Sequence, residues 1–212
     1  MSYDGNNGDY HSFNPISDIR TVFWVVYRNS GNCFMLGHTG SYNFHGNGNR
    51  FWHNNHAHAN VKNGSLWVNG NPTNGLADNV PSALSVISLK TAGNVSANTF
   101  SNDRHIDGRY WNGELGELII FNYVMSDEQV RKVEGYLAHR WGLEGDLPGG
   151  HPYASLDPRT ETLTIHAQVA KVEDKSDQDD LGLMLQVQAT KGAEQVLAHL
   201  PRLRGSVKFH YR

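Results

Sequence analysis

Four histidines fall close together in the chain, His45, His53, His56 and His58, with Trp52 among them and Trp67 shortly after. Imidazole titrates near neutral pH, and its neutral form is a common ligand of zinc and copper. If the segment is extended, His56 and His58 lie on one face about 6–7 Å apart, near enough to converge on an ion that would still need a third ligand. His53 has the opposite parity and joins them only through a bulge. The same face would carry Trp52, Asn54 and Asn60. Asn63-Gly64 is a strong two-residue turn signal, and a hairpin there sets Asn60 opposite Trp67 and His58 opposite Asn69. Three readings of this face stand open. It is a transition-metal site, a solvated polar surface, or a ligand-binding surface of Trp52, His56, His58, Asn60, Trp67 and Asn69. In the last, the indoles pack on sugar C–H faces while imidazoles and amides hold hydroxyls.

Two loops are rich in oxygen donors, as calcium requires. One is Asp4-Gly5-Asn6-Asn7-Gly8-Asp9, with Asp4, Asn6 and Asp9 as candidate ligands; the other holds Asp103 and Asp107. Asp and Asn are also ordinary turn formers, which is the competing reading. Glu114 and Glu117 supply the two carboxylates of a glycosidase, but residues three apart on a regular strand face opposite ways, which argues against that use. The chain has no G-x-S-x-G elbow, H-E-x-x-H, phosphate loop or dinucleotide fingerprint. Cys33, the single cysteine, excludes an intramolecular disulfide and reads as a buried structural thiol beside Phe34, Met35 and Leu36.

Short strands must position these residues. All 21 asparagines lie at or before Asn122, and with the glycines they punctuate the chain as turns between strands. Thr21–Tyr27 reads as a strand buried on both faces, and Cys33–Gly37, Ser41–His45, Leu84–Lys90 and Glu117–Phe121 as further strands. One helix is expected near 127–141. Ser126 and Gln129 form its capping box, Val130, Val133, Leu137 and Trp141 its buried stripe, and Gly142 its stop. Composition then shifts. Residues 151–212 hold 16 of the 39 charged residues and no asparagine, which places a boundary at Gly149-Gly150 and Pro152. In that tail, 162–172, 181–189 and 206–211 alternate like strands that complete a sheet edge or form a small β unit.

The stretch Gly113–Asn122, then Met125-Ser126-Asp127-Glu128, then Val133–Leu143, Leu147-Pro148 and His151-Pro152-Tyr153, resembles the C-terminal signature of bacterial laminin-G-like domains. These belong to the concanavalin-A-like lectin and glucanase superfamily. Asp18–Val26 and Trp67-Val68-Asn69-Gly70 are similar to earlier parts of the same family. The resemblance spans residues 1–153, and residues 154–212 fall outside it. It implies an all-β, two-sheet antiparallel jelly-roll sandwich with one helix, in a secreted or surface protein of bacteria that binds glycans or other proteins. It also implies a strand ahead of the segment matching Tyr3-Asp4-Gly5. Because the first and last strands of such domains lie close, it brings Glu114 or Glu117 toward Asp4 as a calcium ligand.

A net charge of −3 supplies no basic field for nucleic acid, and no apolar run reaches the ~20 residues of a membrane-spanning helix. The opening MSYDGNNGDY lacks the basic and apolar regions of a signal peptide. The sequence therefore points first to a carbohydrate- or protein-binding recognition module. Its alternative is a hydrolase of an ester, lactone or glycosidic bond that depends on calcium or on a histidine-held transition ion, with histidine as general base.

Overall fold

Every residue of Thr21-Val22-Phe23-Trp24-Val25-Val26 is β-branched or aromatic, a composition that favours pleated chain covered on both faces. In the computed structural model these six buried residues end a long strand, His11–Arg28. Residues 1–5, 10–106 and 108–160 are described, with the backbone of two short strands at 166–170 and 184–188. In chain order the strands are β1 (Ser2–Asp4), β2 (His11–Arg28), β3 (Ser65–Val68), β4 (Asn71–Thr73), β5 (Ser85–Phe100), β6 (Asn112–Phe121), β7 (His166–Ala170) and β8 (Met184–Gln188). The first six form one antiparallel sheet in the order β1-β6-β2-β5-β3-β4. Among the described residues two α-helices accompany it, α1 (Ala59–Lys62) and α2 (Asp127–Trp141), and strands predominate as expected.

The chain divides into two units at Thr160/Glu161, a little beyond the compositional shift. In the second unit β7 and β8 pair antiparallel with each other, inside the two spans expected to be strands. The third expected strand, 206–211, lies outside the described residues.

Alternation along β2 divides the core in two. Val22, Trp24 and Val26 face a layer built by residues 33–57, including Met35, Phe44, Phe51 and Trp52. Phe23 and Val25 face α2, with Val130 and Leu137. The layer over the first face was expected to contain strands at Cys33–Gly37 and Ser41–His45. It contains only isolated bridges, such as Gly37 with Thr99 and His38 with Ser41. At Gly37 the chain passes close to the 102 backbone: a Cβ there would sit 1.7 Å from the Asn102 carbonyl oxygen, an approach that only glycine permits. Cys33 is buried in this layer, and burial pushes its thiol up to about 12, against a smaller opposing pull from Arg28.

Helix α2 begins and ends as its sequence dictates. The Ser126 hydroxyl accepts the Gln129 N–H at 3.2 Å, the Gln129 side chain accepts the Ser126 N–H at 2.9 Å, and Gly142 closes the helix at φ 69°. Ser126→Ala is expected to lower stability by about 1 kcal/mol in urea denaturation, the usual worth of such a cap.

Beneath α2 lies a buried polar chain. Glu134, 2% exposed, accepts the Ser88 hydroxyl on one carboxylate oxygen, and its other oxygen is 3.3 Å from His151 Nε2. Close by, Tyr153 packs so tightly on Gly135 that a Cβ there would come within 2.3 Å of Tyr153 Cβ. His139 Nε2 is 2.8 Å from the Tyr153 carbonyl oxygen. Together these contacts fasten residues 151–153 onto the helix.

The hairpin expected at Asn63-Gly64 is not formed. Ala59–Lys62 is a helical turn, with Asn63 at φ −92° as its C-cap. The two-residue hairpin lies at another Asn-Gly pair, Asn69-Gly70, which joins β3 to β4 with φ of 47° and 73°. Positive φ at both central residues is the requirement of a type I′ hairpin turn, and Asn69-Gly70 meets it where Asn63-Gly64 does not.

Candidate functional site: an imidazole and guanidinium cluster

Residues 41–58 fold as turns, so strand parity does not govern where their side chains go. The His53 N–H donates to the His45 carbonyl at 2.8 Å, and the Ala57 N–H to the His53 carbonyl at 3.0 Å. These bonds gather three imidazoles. Ring centroids lie 5.6 Å apart for His45 and His53, 5.7 Å for His45 and His56, and 4.4 Å for His53 and His56. Tyr42 stacks on His56 at 4.9 Å with planes 20° apart, and the Arg104 guanidinium lies 3.5 Å from the Tyr42 ring centre. His58 leaves the group: its Nδ1 accepts the Asn60 N–H at 3.1 Å and caps α1.

Asp103 anchors the cluster from below. It is 1% exposed, and one carboxylate oxygen lies 3.1 Å from His45 Nδ1, 3.2 Å from Arg104 Nε and 2.7 Å from Arg109 Nη1. Burial pushes this carboxyl up, but the His45, Arg109 and Arg104 hydrogen bonds outweigh it and hold it below the usual carboxylate range. An ionised carboxylate only accepts, so His45 must donate from Nδ1, which leaves Nε2 as an acceptor when the ring is neutral. His53 is held below its ordinary value by desolvation, then by the positive character of His56, His45, Arg109 and Lys62.

The loop that presents Asp103 and Arg104 is strained. Ser101 (66°), Arg104 (56°) and His105 (53°) are three of the four non-glycine residues with positive φ among the described residues. Such a conformation costs an L-residue roughly 1–2 kcal/mol, and it concentrates at sites where geometry matters more than stability. Surrounding bonds hold it. Ser101 Oγ accepts the Trp111 N–H at 3.0 Å, Asn102 Oδ1 accepts the His105 N–H at 2.8 Å, and Thr99 Oγ1 donates to the Asn102 carbonyl at 2.9 Å.

The structure separates the other residues marked from sequence. Trp52 is buried beside Phe44 and Phe51, whereas Trp67 lies on the opposite face of the sheet with the α2 cluster. A shared Trp52–Trp67 platform is therefore excluded, because a helical turn replaces the strand that would have aligned them. The Asn60 amide donates to the Asn94 carbonyl at 3.0 Å, and Asn69 Oδ1 accepts the Val86 N–H at 2.8 Å, so both hold local backbone.

Among the described residues the calcium candidates Asp4, Asp103 and Glu117 are not brought together. Asp103 is ringed by cations, the wrong surroundings for a metal ion. Glu117 accepts Trp141 Nε1 at 3.1 Å and lies 3.0 Å from Arg140 Nε. Asp4 pairs with Asn112 at the strand edge, five residues from Glu117 along β6, or about 16 Å at strand rise, too far to share an ion. Asn6, Asp9 and Asp107 lie outside the described residues. Among the described residues no group of three or more His, Cys, Asp or Glu side chains is placed to hold a metal ion.

The parity argument for Glu114 and Glu117 needs amending too. A register shift between Val25 and Val26 makes Gly116 an extra residue in β6, so both glutamates come to the helix side of the sheet. The Arg140 and Trp141 contacts of Glu117 nevertheless assign it a structural role.

Tyr42, Arg104 and Arg109 were not marked from sequence. Comparison of the chain with protein-family models, with curated proteins and with solved structures found no match in any of the three.

Proposed function

We propose that residues 1–153 form a laminin-G-like recognition module of the jelly-roll kind, part of a secreted or surface bacterial protein. In this reading it binds a glycan through the surface around Tyr42, His53, His56 and Arg104. The observation that carries the reading is the joining of two distant segments, 42–56 and 103–109, at one buried carboxylate beneath exposed planar groups. Planar aromatic and cationic groups offer edges and N–H donors to sugar hydroxyls, and the exposed Asn54 and Asn55 add amides beside them. The strained 101–105 loop supports the same reading. Two long bent strands, β2 and β5, whose register shifts several times along their pairing, support the jelly-roll assignment.

Glycan-array screening of the full chain tests it, with Tyr42→Ala and His56→Ala beside the parent. Both side chains are exposed, so both variants are expected to fold. The expected result is binding to a subset of glycans that weakens at least about tenfold, or 1.4 kcal/mol, in each variant. Equal binding by parent and variants would remove this surface from the account, and a protein ligand would then be the alternative.

A second reading rests on the His45–Asp103 contact. A carboxylate that fixes an imidazole's tautomer is the base half of hydrolytic sites, so His45 Nε2 would activate water against an ester, lactone or glycosidic bond. In its metal-dependent form an ion, calcium or a histidine-held transition metal, would polarise the bond under attack. A hydrolase panel run with and without chelator, together with His45→Gln, tests this. Turnover that survives His45→Gln would sink it.

A further inference from the structure

The cluster carries more positive character than its one buried acid can balance. Arg104 and Arg109 both address Asp103, yet a guanidinium has five N–H groups and Asp103 receives one from each in the bonds described. Three imidazoles stand beside them, and the ammonium of Lys62 donates to the Asn54 carbonyl at 2.6 Å, within the turn that joins His53 to His56. The charged groups that act most on His53, namely His56, His45, Arg109 and Lys62, are all cationic or become so on protonation. Among the described residues the acid that stands against them is Asp103, which the two guanidiniums outnumber.

Resting on the glycan-binding reading, we infer that this surface takes an anionic saccharide, one bearing carboxylate or sulfate groups. The guanidinium N–H groups of Arg104 and Arg109 beyond those given to Asp103 are charge-assisted donors to such an oxyanion. The groups facing the imidazoles are Arg104 and Arg109 from the 101–109 loop, Lys62 from α1, Asp103 below and Tyr42 alongside. Asp103 is held ionised by its hydrogen bonds and the arginines are permanently charged, so the guanidinium charge is present at neutral pH. The saccharide is favoured over an acidic peptide by the exposed amides of Asn54 and Asn55 at the rim, which match hydroxyls.

The experiment is calorimetric titration of the full chain at neutral pH with four probes: a galacturonate hexasaccharide, a sulfated galactan hexasaccharide, an uncharged glucan hexasaccharide and a short poly-glutamate. One or both charged saccharides should bind, at least about tenfold tighter than the uncharged glucan. Arg104→Gln should remove that preference. Which charged saccharide binds tells carboxylate from sulfate. Equal binding of the uncharged glucan would overturn the inference and leave the glycan-binding reading standing. Absence of binding by all three saccharides and from the glycan array would overturn both. Poly-glutamate binding as tightly as the saccharides would overturn the saccharide assignment in favour of an acidic polypeptide.

Discussion

His151→Ala is expected to lower the stability of the folded domain by about 3–5 kcal/mol in urea denaturation at neutral pH. Glu134 and His151 are both buried beneath α2, and truncating the imidazole leaves the carboxylate with the Ser88 hydroxyl as its remaining partner among those described. Breaking a buried pair from one side costs far more than the pair contributes, because the surviving polar group keeps its desolvation penalty. The same segment is held by Tyr153 against Gly135, so the loss of His151 also loosens the stretch that closes the unit. The contrast is Lys90→Ala. Its partner Asp127 is 73% exposed, and that variant is expected to change stability by less than about 1 kcal/mol. Equal effects from the two variants would mean that the buried chain does not hold the helix down.

Asp103→Asn is the second large effect. An amide cannot neutralise Arg104 and Arg109, and a neutral amide, which can donate as well as accept, no longer fixes the His45 tautomer. The expected loss is about 3 kcal/mol, toward the lower end for a buried pair because the arginines are partly exposed. The variant should also lose glycan binding, since Arg104 and His45 are no longer held.

The acid limb of the stability curve gives a separate reading. Asp103 has a folded value below its unfolded value of about 3.9, so its contribution is present above that pH and is lost as pH falls through the lower, folded value. Urea midpoints measured from pH 6 down to pH 2 should therefore fall less steeply for Asp103→Asn than for the parent. Parallel curves would contradict a carboxylate held ionised by its neighbours.

What could be read from sequence follows the range of the physics involved. Helix α2 was legible to its caps, because capping and the 3.6-residue stripe are local signals. The buried strand at Thr21–Val26 was legible from composition alone. The hairpin was misplaced because two Asn-Gly pairs compete within eight residues, and choosing between them depends on how the chain meets β5. The gathering of His45, His53 and His56 was seen as a cluster, but for the wrong geometric reason: a strand was assumed where the chain turns. Arg104 and Arg109 were illegible, because nothing local ties residues 103–109 to residues 42–56. The buried Glu134 contact with His151 was likewise hidden, although both residues stand in the motif that prompted the family resemblance.

Amide chemical-shift mapping of the isotope-labelled full chain, titrated with the galacturonate hexasaccharide at pH 5.5, tests the central claim most directly. The account predicts saturable shifts concentrated at Tyr42, His53–His56 and Arg104–Arg109, with little change at Trp67 and Asn69 across the sheet. Saturable shifts gathered elsewhere, with Tyr42, His56 and Arg104 unmoved, would contradict it.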